Sequence, residues 1–89
     1  MEKSIYSEDY ATFLRCLKQA RKKAGLTQVQ LAERLNETQS IISKCERGER
    51  RLDVIELAWI CNALGITLVE FSQQLTAAFA KAKSHRRSR

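Results

Sequence analysis

The amino-acid sequence predicts an all-α domain of five helices, and two observations support this fold class. Apolar residues recur at three- and four-residue spacing along most of the chain, which is the pattern of amphipathic helices. The three glycines, Gly25, Gly48 and Gly65, each follow directly after such a stretch, and proline is absent. Eighty-nine residues are enough for one compact domain with its own hydrophobic core.

The first helix is predicted to begin after Ser7, because serine is a common helix N-cap. Its apolar residues continue at helical spacing to Ala20, and a basic run then precedes the stop at Gly25. We therefore expect a flexible N-terminus at residues 1–6, before the domain proper at 7–80.

Three later helices share one start signal, the capping box, in which a Thr or Asp cap pairs with a Gln or Glu three residues on. The caps are Thr27, Asp53 and Thr67, so helices should start at residues 28, 54 and 68. Thr38 lacks the box partner, because Ile41 stands in that position. It is nevertheless predicted to cap a helix from Gln39 to about Arg47, which ends at Gly48.

The last two helices carry apolar residues beyond those that a small core requires. The fourth is predicted over Val54–Leu64, with Trp59 off the core-facing stripe and therefore at a rim or an interface. The fifth is predicted to start at Leu68 and to reach Ala80 or beyond. Its Leu75 and Phe79 favour burial in a dimer interface, and folding back onto the first helix is the alternative. A basic, flexible tail is expected after it, at 81–89.

The third helix has an outer face suited to the major groove of DNA. Ile42 and Cys45 are expected to turn inward. The residues left on the outer face are Gln39, Ser40, Ser43 and Lys44. Amides, hydroxyls and a lysine can bind base edges and phosphates. A solvated helix face is the alternative for each of them.

The charge distribution also favours a polyanionic partner. The formal net charge is +6, with +3 on residues 1–25 and +4 on residues 66–89. The third helix itself is not highly charged, so electrostatic attraction must come from other basic residues. These are Arg21–Lys23, Arg47, Arg50, Arg51 and the tail.

Other classes of function have little support in the sequence. The three cysteines, which lie far apart, are expected to be buried thiols in a reducing cytoplasm, not disulfides or metal ligands. The only histidine, His85, lies in the tail, and no nucleophile–base pair or cofactor-binding loop is present. We therefore expect no enzyme activity, no cofactor and no metal. No stretch approaches the ~18–20 apolar residues of a membrane span, and a signal peptide is not evident.

From Ala20 to Phe71 the sequence resembles the Cro-like, phage-repressor helix-turn-helix family, also called XRE or lambda-repressor-like. The resemblance rests on Arg21…Gly25-Leu26-Thr27-Gln28, on Thr38-Gln39…Glu46-Arg47-Gly48 and on Ala63-Leu64-Gly65-Ile66. It implies a five-helix lambda-repressor-like domain with the helix-turn-helix at helices two and three. It also implies a bacterial or phage-encoded, nucleoid-associated protein that binds double-stranded DNA as a homodimer, at an operator that is an inverted repeat.

The resemblance also implies roles for single residues. Gln39 is expected to bind adenine in bidentate fashion, and Lys44 to bind guanine or a phosphate, with Ser40 and Ser43 as further base contacts. Phosphate contacts are expected from Gln28, Thr38, Arg47, Arg50 and Arg51. For the three arginines a solvated run of charges is the alternative. Arg21 and Glu46 match a structural ion pair that joins the first helix to the end of the recognition helix. Asn36 stands where the family commonly has glycine, and it tolerates positive φ better than most residues.

The expected function is therefore a sequence-specific transcriptional regulator, a small repressor or autoregulator. We expect no second domain that senses a ligand, so that protein concentration sets occupancy of the operator. The alternative is an antitoxin or another protein-interaction module on the same fold. Trp59, Leu75 and Phe79 would then anchor a toxin or another protein partner. The sequence does not define the operator or the sign of regulation.

Overall fold

The helix starts lie mostly where the capping residues predict them. The computed structural model describes the backbone of residues 3–87 and the side chains of residues 8–83. Over that range it has five helices and no strand: α1 Lys3–Lys23, α2 Gln28–Leu35, α3 Gln39–Glu46, α4 Val54–Leu64 and α5 Leu68–Arg87. The predicted all-α, five-helix fold class is confirmed.

The three predicted capping boxes are present. Thr27 Oγ1 accepts from the backbone N–H of Gln30 at 3.1 Å, and the Gln30 side chain accepts from the backbone N–H of Thr27 at 2.9 Å. The boxes that begin at Asp53 and Thr67 have the same two reciprocal bonds, all within 2.8–3.0 Å. These boxes satisfy backbone N–H groups that a helix start would leave without partners.

The outer ends of α1 and α5 both lie beyond the bounds of 7 and 80 predicted for the domain. Ser7 lies inside α1, which begins at Lys3, so the prediction that Ser7 caps this helix is wrong. At the other end α5 continues through Arg87, which agrees with the prediction that it reaches Ala80 or beyond and takes the helix into the segment 81–89 expected as a tail. Neither proline nor glycine interrupts either stretch, and the Ala, Lys and Arg residues after Phe79 are strong helix formers. The side chain of His85 lies outside the described residues.

The core is centred on Phe71 of α5, which has no exposed surface. The ring of Phe13 on α1 meets it edge-on at 5.9 Å between ring centroids. Leu31 and Ala32 of α2, each 2 % exposed, belong to the same buried cluster, as does Ile42 of α3. This cluster therefore holds α2 and α3 on the body of the domain at a fixed angle.

The three cysteines, Cys16, Cys45 and Cys61, are free thiols, and all three are buried. Burial raises the pKa of Cys16 and of Cys61, and nearby Arg15 opposes the rise at Cys16 only in part. All three side chains pack as small apolar groups, and the raised pKa keeps Cys16 and Cys61 protonated at neutral pH.

Within the described residues, no single helix is long and apolar enough to cross a bilayer. Only α4 and α5 taken together reach that length and apolar composition, and they are sharply bent at the break between them.

Candidate nucleic-acid interface

The turn between α2 and α3 sets the orientation of the third helix. Asn36 adopts the left-handed conformation, with φ 56° and ψ 43°, which asparagine tolerates better than most residues. The backbone N–H of Glu37 donates to the carbonyl of Ala32 at 2.9 Å and closes the end of α2. Thr38 Oγ1 accepts from the N–H of Ile41 at 3.3 Å and caps α3.

The outer face of α3 is polar and open. Ile42 and Cys45 are 3 % and 2 % exposed and pack inward. Gln39, Ser40 and Lys44 are exposed, and Ser43 is half-buried. We call these four outward residues the reading face.

A buried ion pair fixes the far end of α3 to α1. Arg21 Nε donates to Glu46 Oε2 at 2.6 Å, Nη2 donates to Oε1 at 3.1 Å, and Nη1 donates to the carbonyl of Leu26 at 2.8 Å. The two charged side chains are only 8 % and 4 % exposed. Burial favours the neutral form of Glu46, but hydrogen bonds from Arg21 and Gln28, with the charges of Arg21 and Lys18, hold its pKa below the ordinary value.

Two glutamines link this ion pair to the reading face. Gln28 Nε2 donates to Glu46 Oε1 at 2.9 Å. Gln28 Oε1 in turn accepts from Gln39 Nε2 at 2.7 Å. The residue predicted to bind a phosphate and the residue predicted to bind adenine therefore contact each other directly. These bonds, which we call the amide chain, run from Glu46 through Gln28 to Gln39.

The three arginines predicted to bind phosphates all have partners within the protein. Arg47 donates to Glu49 at 2.7 and 3.2 Å and also to Ser43 Oγ. The hydrogen bonds and the charge interaction between Arg47 and Glu49 raise the pKa of Arg47 and lower that of Glu49. A phosphate at Arg47 would therefore compete with Glu49 for the same guanidinium.

The other two arginines lie in the loop before α4. Arg50 donates to Glu56 at 2.8 Å and lies 3.8 Å from Cys45 Sγ. The guanidinium of Arg51 lies 4.4 Å from the ring centroid of Tyr10.

The residues predicted for a dimer interface lie near α1. Leu75 packs against the core cluster, and Phe79 is half-buried. Both line an apolar groove together with Tyr10 and Phe13 of α1. Their assignment to a dimer interface stays a prediction, and their position is also compatible with the alternative of folding back onto the first helix.

Most of the apolar outer surface was not predicted from the sequence. The exposed large apolar side chains are Val54 at 61 %, Ile55 at 57 % and Trp59 at 62 % on α4, with Val29 at 53 % on α2 and Val69 at 66 % on α5. Of these, only Trp59 was placed outward in advance. The signal was available, because α4 carries apolar residues on both faces, which a helix packed on one side does not need.

Among the described side chains, no group of three or more His, Cys, Asp or Glu residues is arranged to hold a metal ion.

Comparison with known proteins agrees with this geometry. A helix-turn-helix family model matches residues 17–71. The chain is similar to the solved structure of an XRE-family like protein from Pseudomonas syringae pv. tomato str. DC3000, at 43% identity over 84% of this chain and 92% of that chain, with a TM-score of 0.77. It is also similar to a mutant of the restriction-modification controller protein C.Esp1396I, at 28% identity over 79% of this chain and 93% of that chain, with a TM-score of 0.74. No curated protein matches the sequence.

Proposed function

Because the chain belongs to the XRE-type helix-turn-helix family of DNA-binding transcription regulators, we propose that it binds its operator as a symmetric homodimer, with α3 of each subunit in a major groove. The observation that best supports this proposal is the reading face, which is polar and exposed on a helix whose other side is buried. In such a dimer the two α3 helices lie about 34 Å apart, so the operator is an inverted repeat.

The base contacts come from the reading face. One N–H of the Gln39 amide is donated to Gln28. Its second N–H and its carbonyl oxygen have no protein partner among the described residues, and they match the N7 acceptor and the N6 donor of adenine. Lys44 is exposed and is suited to guanine or to a phosphate. Ser40 and Ser43 supply hydroxyl groups beside them.

The phosphate contacts surround that face. Gln28 is the first residue of α2 and Thr38 caps α3, so both lie where free backbone N–H groups favour an anion. The Gln28 amide keeps one N–H beyond the one that it donates to Glu46. Arg47 also lies beside the reading face and exchanges Glu49 for a phosphate. Arg50 and Arg51 contribute from the loop before α4.

The dimer interface is centred on the exposed apolar surface of α4. Ile55 and Trp59 are four residues apart and therefore lie one turn apart on the same side of the helix. Both are more than half exposed in the isolated chain, at 57 % and 62 %. Leu75 and Phe79 contribute at most the part of their surface that α1 leaves exposed.

The protein acts as a small repressor or autoregulator in the cytoplasm, where its concentration sets occupancy of the operator. The test is to select binding sites from randomised DNA duplexes and to measure affinity for the selected site. Gln39→Ala and Lys44→Ala should each weaken binding by about tenfold or more and relax the preference at one base pair, since a good base contact contributes roughly 1–3 kcal/mol of discrimination. Gln73→Ala, which changes an exposed glutamine on α5, is the matched control and should bind as the wild type does. Unchanged affinity and preference in both variants of the reading face would refute the proposal.

The antitoxin or protein-interaction alternative is favoured by one observation, the exposure of Trp59. Salt dependence separates the two functions. DNA binding through 6–10 phosphates loses roughly 10³–10⁵ in affinity between about 50 and 200 mM salt, whereas a partner bound by an apolar surface responds little. Trp59→Lys should produce monomers in sedimentation analysis if α4 forms the homodimer. If it instead leaves a wild-type dimer, the interface proposed on α4 is refuted.

A further inference from the structure

The amide chain joins a buried charge to an exposed base-reading group. Glu46 Oε1 accepts hydrogen bonds from Arg21 at 3.1 Å and from Gln28 at 2.9 Å. Gln28 Oε1 then accepts from Gln39 Nε2 at 2.7 Å. Arg21 of α1, Gln28 of α2 and Glu46 of α3 thus hold the Gln39 side chain at the start of α3.

The chemistry of these groups fixes which way each amide faces. An ionised carboxylate can only accept hydrogen bonds, so the nitrogen end of the Gln28 amide must face Glu46. The carbonyl oxygen of Gln28 then faces Gln39, and only the nitrogen of the Gln39 amide can face that oxygen. Reversing either amide would bring two acceptors together at these distances, which is most unfavourable at the partly buried contact between Gln28 and Glu46.

We propose that Glu46 is a positioning residue for base recognition: through Gln28 it fixes the orientation of the Gln39 amide, and this fixed orientation selects adenine over guanine. The inference rests on the proposed function. Adenine offers an acceptor and a donor on its major-groove edge, whereas guanine offers two acceptors, N7 and O6. A fixed amide that fits adenine places its oxygen against guanine O6. An amide released from Gln28 can turn so that it donates both N–H groups of its NH₂, one to O6 and one to N7, and it then tolerates guanine.

The role of Glu46 differs from that of a simple structural residue. Its ion pair with Arg21 supports the fold, and loss of the pair lowers the amount of folded protein. Orientation of an amide affects instead the ratio of affinities for two DNA sequences. That ratio, measured with one protein preparation, does not depend on the fraction that is folded.

The experiment uses the full chain and two duplexes. One carries the operator selected by the wild type, and the other has G·C in place of A·T at the pair whose preference is lost in Gln39→Ala. The readout is the ratio of the two dissociation constants. Glu46→Gln should lower the adenine preference by about two- to tenfold, the range expected from one hydrogen bond, because a neutral amide can face Gln28 with either end. Glu70→Gln, which changes a capping-box glutamate on α5, is the matched control and should keep the wild-type ratio.

A double variant tests the route through Gln28. Gln28→Met removes the middle of the amide chain and leaves Glu46 paired with Arg21. If Glu46 acts through Gln28, then adding Glu46→Gln to Gln28→Met changes the ratio no further. Independent effects of the two substitutions, or an unchanged ratio in Glu46→Gln, would overturn the inference. Failure of the proposed function itself would look different, because Gln39→Ala would then show no change in base preference at all.

Discussion

Removal of Arg21 should destabilise the domain strongly, because it leaves the carboxylate of Glu46 buried without its ionic partner. Arg21→Met deletes three hydrogen bonds, of 2.6, 2.8 and 3.1 Å. The Glu46 side chain, which is 4 % exposed, then keeps only the bond from Gln28. Loss of one partner of a buried pair costs about 3–5 kcal/mol. The free energy of unfolding of a small domain is only about 5–15 kcal/mol in total. Arg21→Met should therefore be close to unfolding.

The assay is urea denaturation at neutral pH, followed by far-UV circular dichroism, on a set of matched variants. The double variant Arg21→Met/Glu46→Met should regain most of the stability that Arg21→Met loses, because replacing both partners of a buried pair by apolar residues is often neutral or stabilising. Arg47→Met is the control for an exposed pair, since the side chains of Arg47 and Glu49 are 54 % and 56 % exposed. It should change stability little. The reasoning is refuted if Arg21→Met costs less than about 1 kcal/mol, or if the double variant loses the sum of both single losses.

Three further predictions concern other charged or constrained positions. Because the pKa of Glu46 is lower in the folded state than its ordinary value of about 4.5, its contribution to stability is present above that pH and is lost as pH falls through the folded pKa. Below this pH the melting temperature of the wild type should therefore fall more steeply with pH than that of Glu46→Gln. Parallel plots of melting temperature against pH for the two proteins would contradict this prediction. Gly48→Ala should cost about 1–2 kcal/mol in thermal unfolding, since φ is +79° and the added Cβ would lie 3.0 Å from Leu14 Cδ1; an unchanged melting temperature would count against it. Glu49→Gln should tighten operator binding at low salt, because Arg47 then binds its phosphate without first giving up the ion pair with Glu49. Unchanged affinity at low salt would show that Arg47 does not reach the DNA.

Local signals in the sequence predicted the helix starts well. The caps at Thr27, Asp53 and Thr67 work through bonds between residues three apart, so their effect can be predicted without knowledge of the tertiary fold. The same holds for the left-handed turn at Asn36. The orientation of α3 also followed from the sequence, since Ile42 and Cys45 define one buried side.

Features that depend on tertiary packing were harder to predict. The bond between Gln28 and Glu46 joins residues 18 positions apart, and it forms only because α2 and α3 cross at one particular angle. The position of Phe79 near α1 also depends on the direction in which α5 packs. The outer ends of α1 and α5 carry no local stop signal, so their lengths could not be read from caps.

The burial of all three cysteines provides chemical reporters of motion in the unmodified protein. A thiol reagent reaches Cys45 only when α3 separates from the body of the domain, while Cys16 and Cys61 report on the packing of α1 and α4. The labelling rate of each thiol then measures how often its own helix opens. Bound operator should slow the labelling of Cys45 most if DNA holds α3 as proposed. Mass spectrometry of labelled peptides can therefore follow how tightly α3 is held, without introduction of any probe residue.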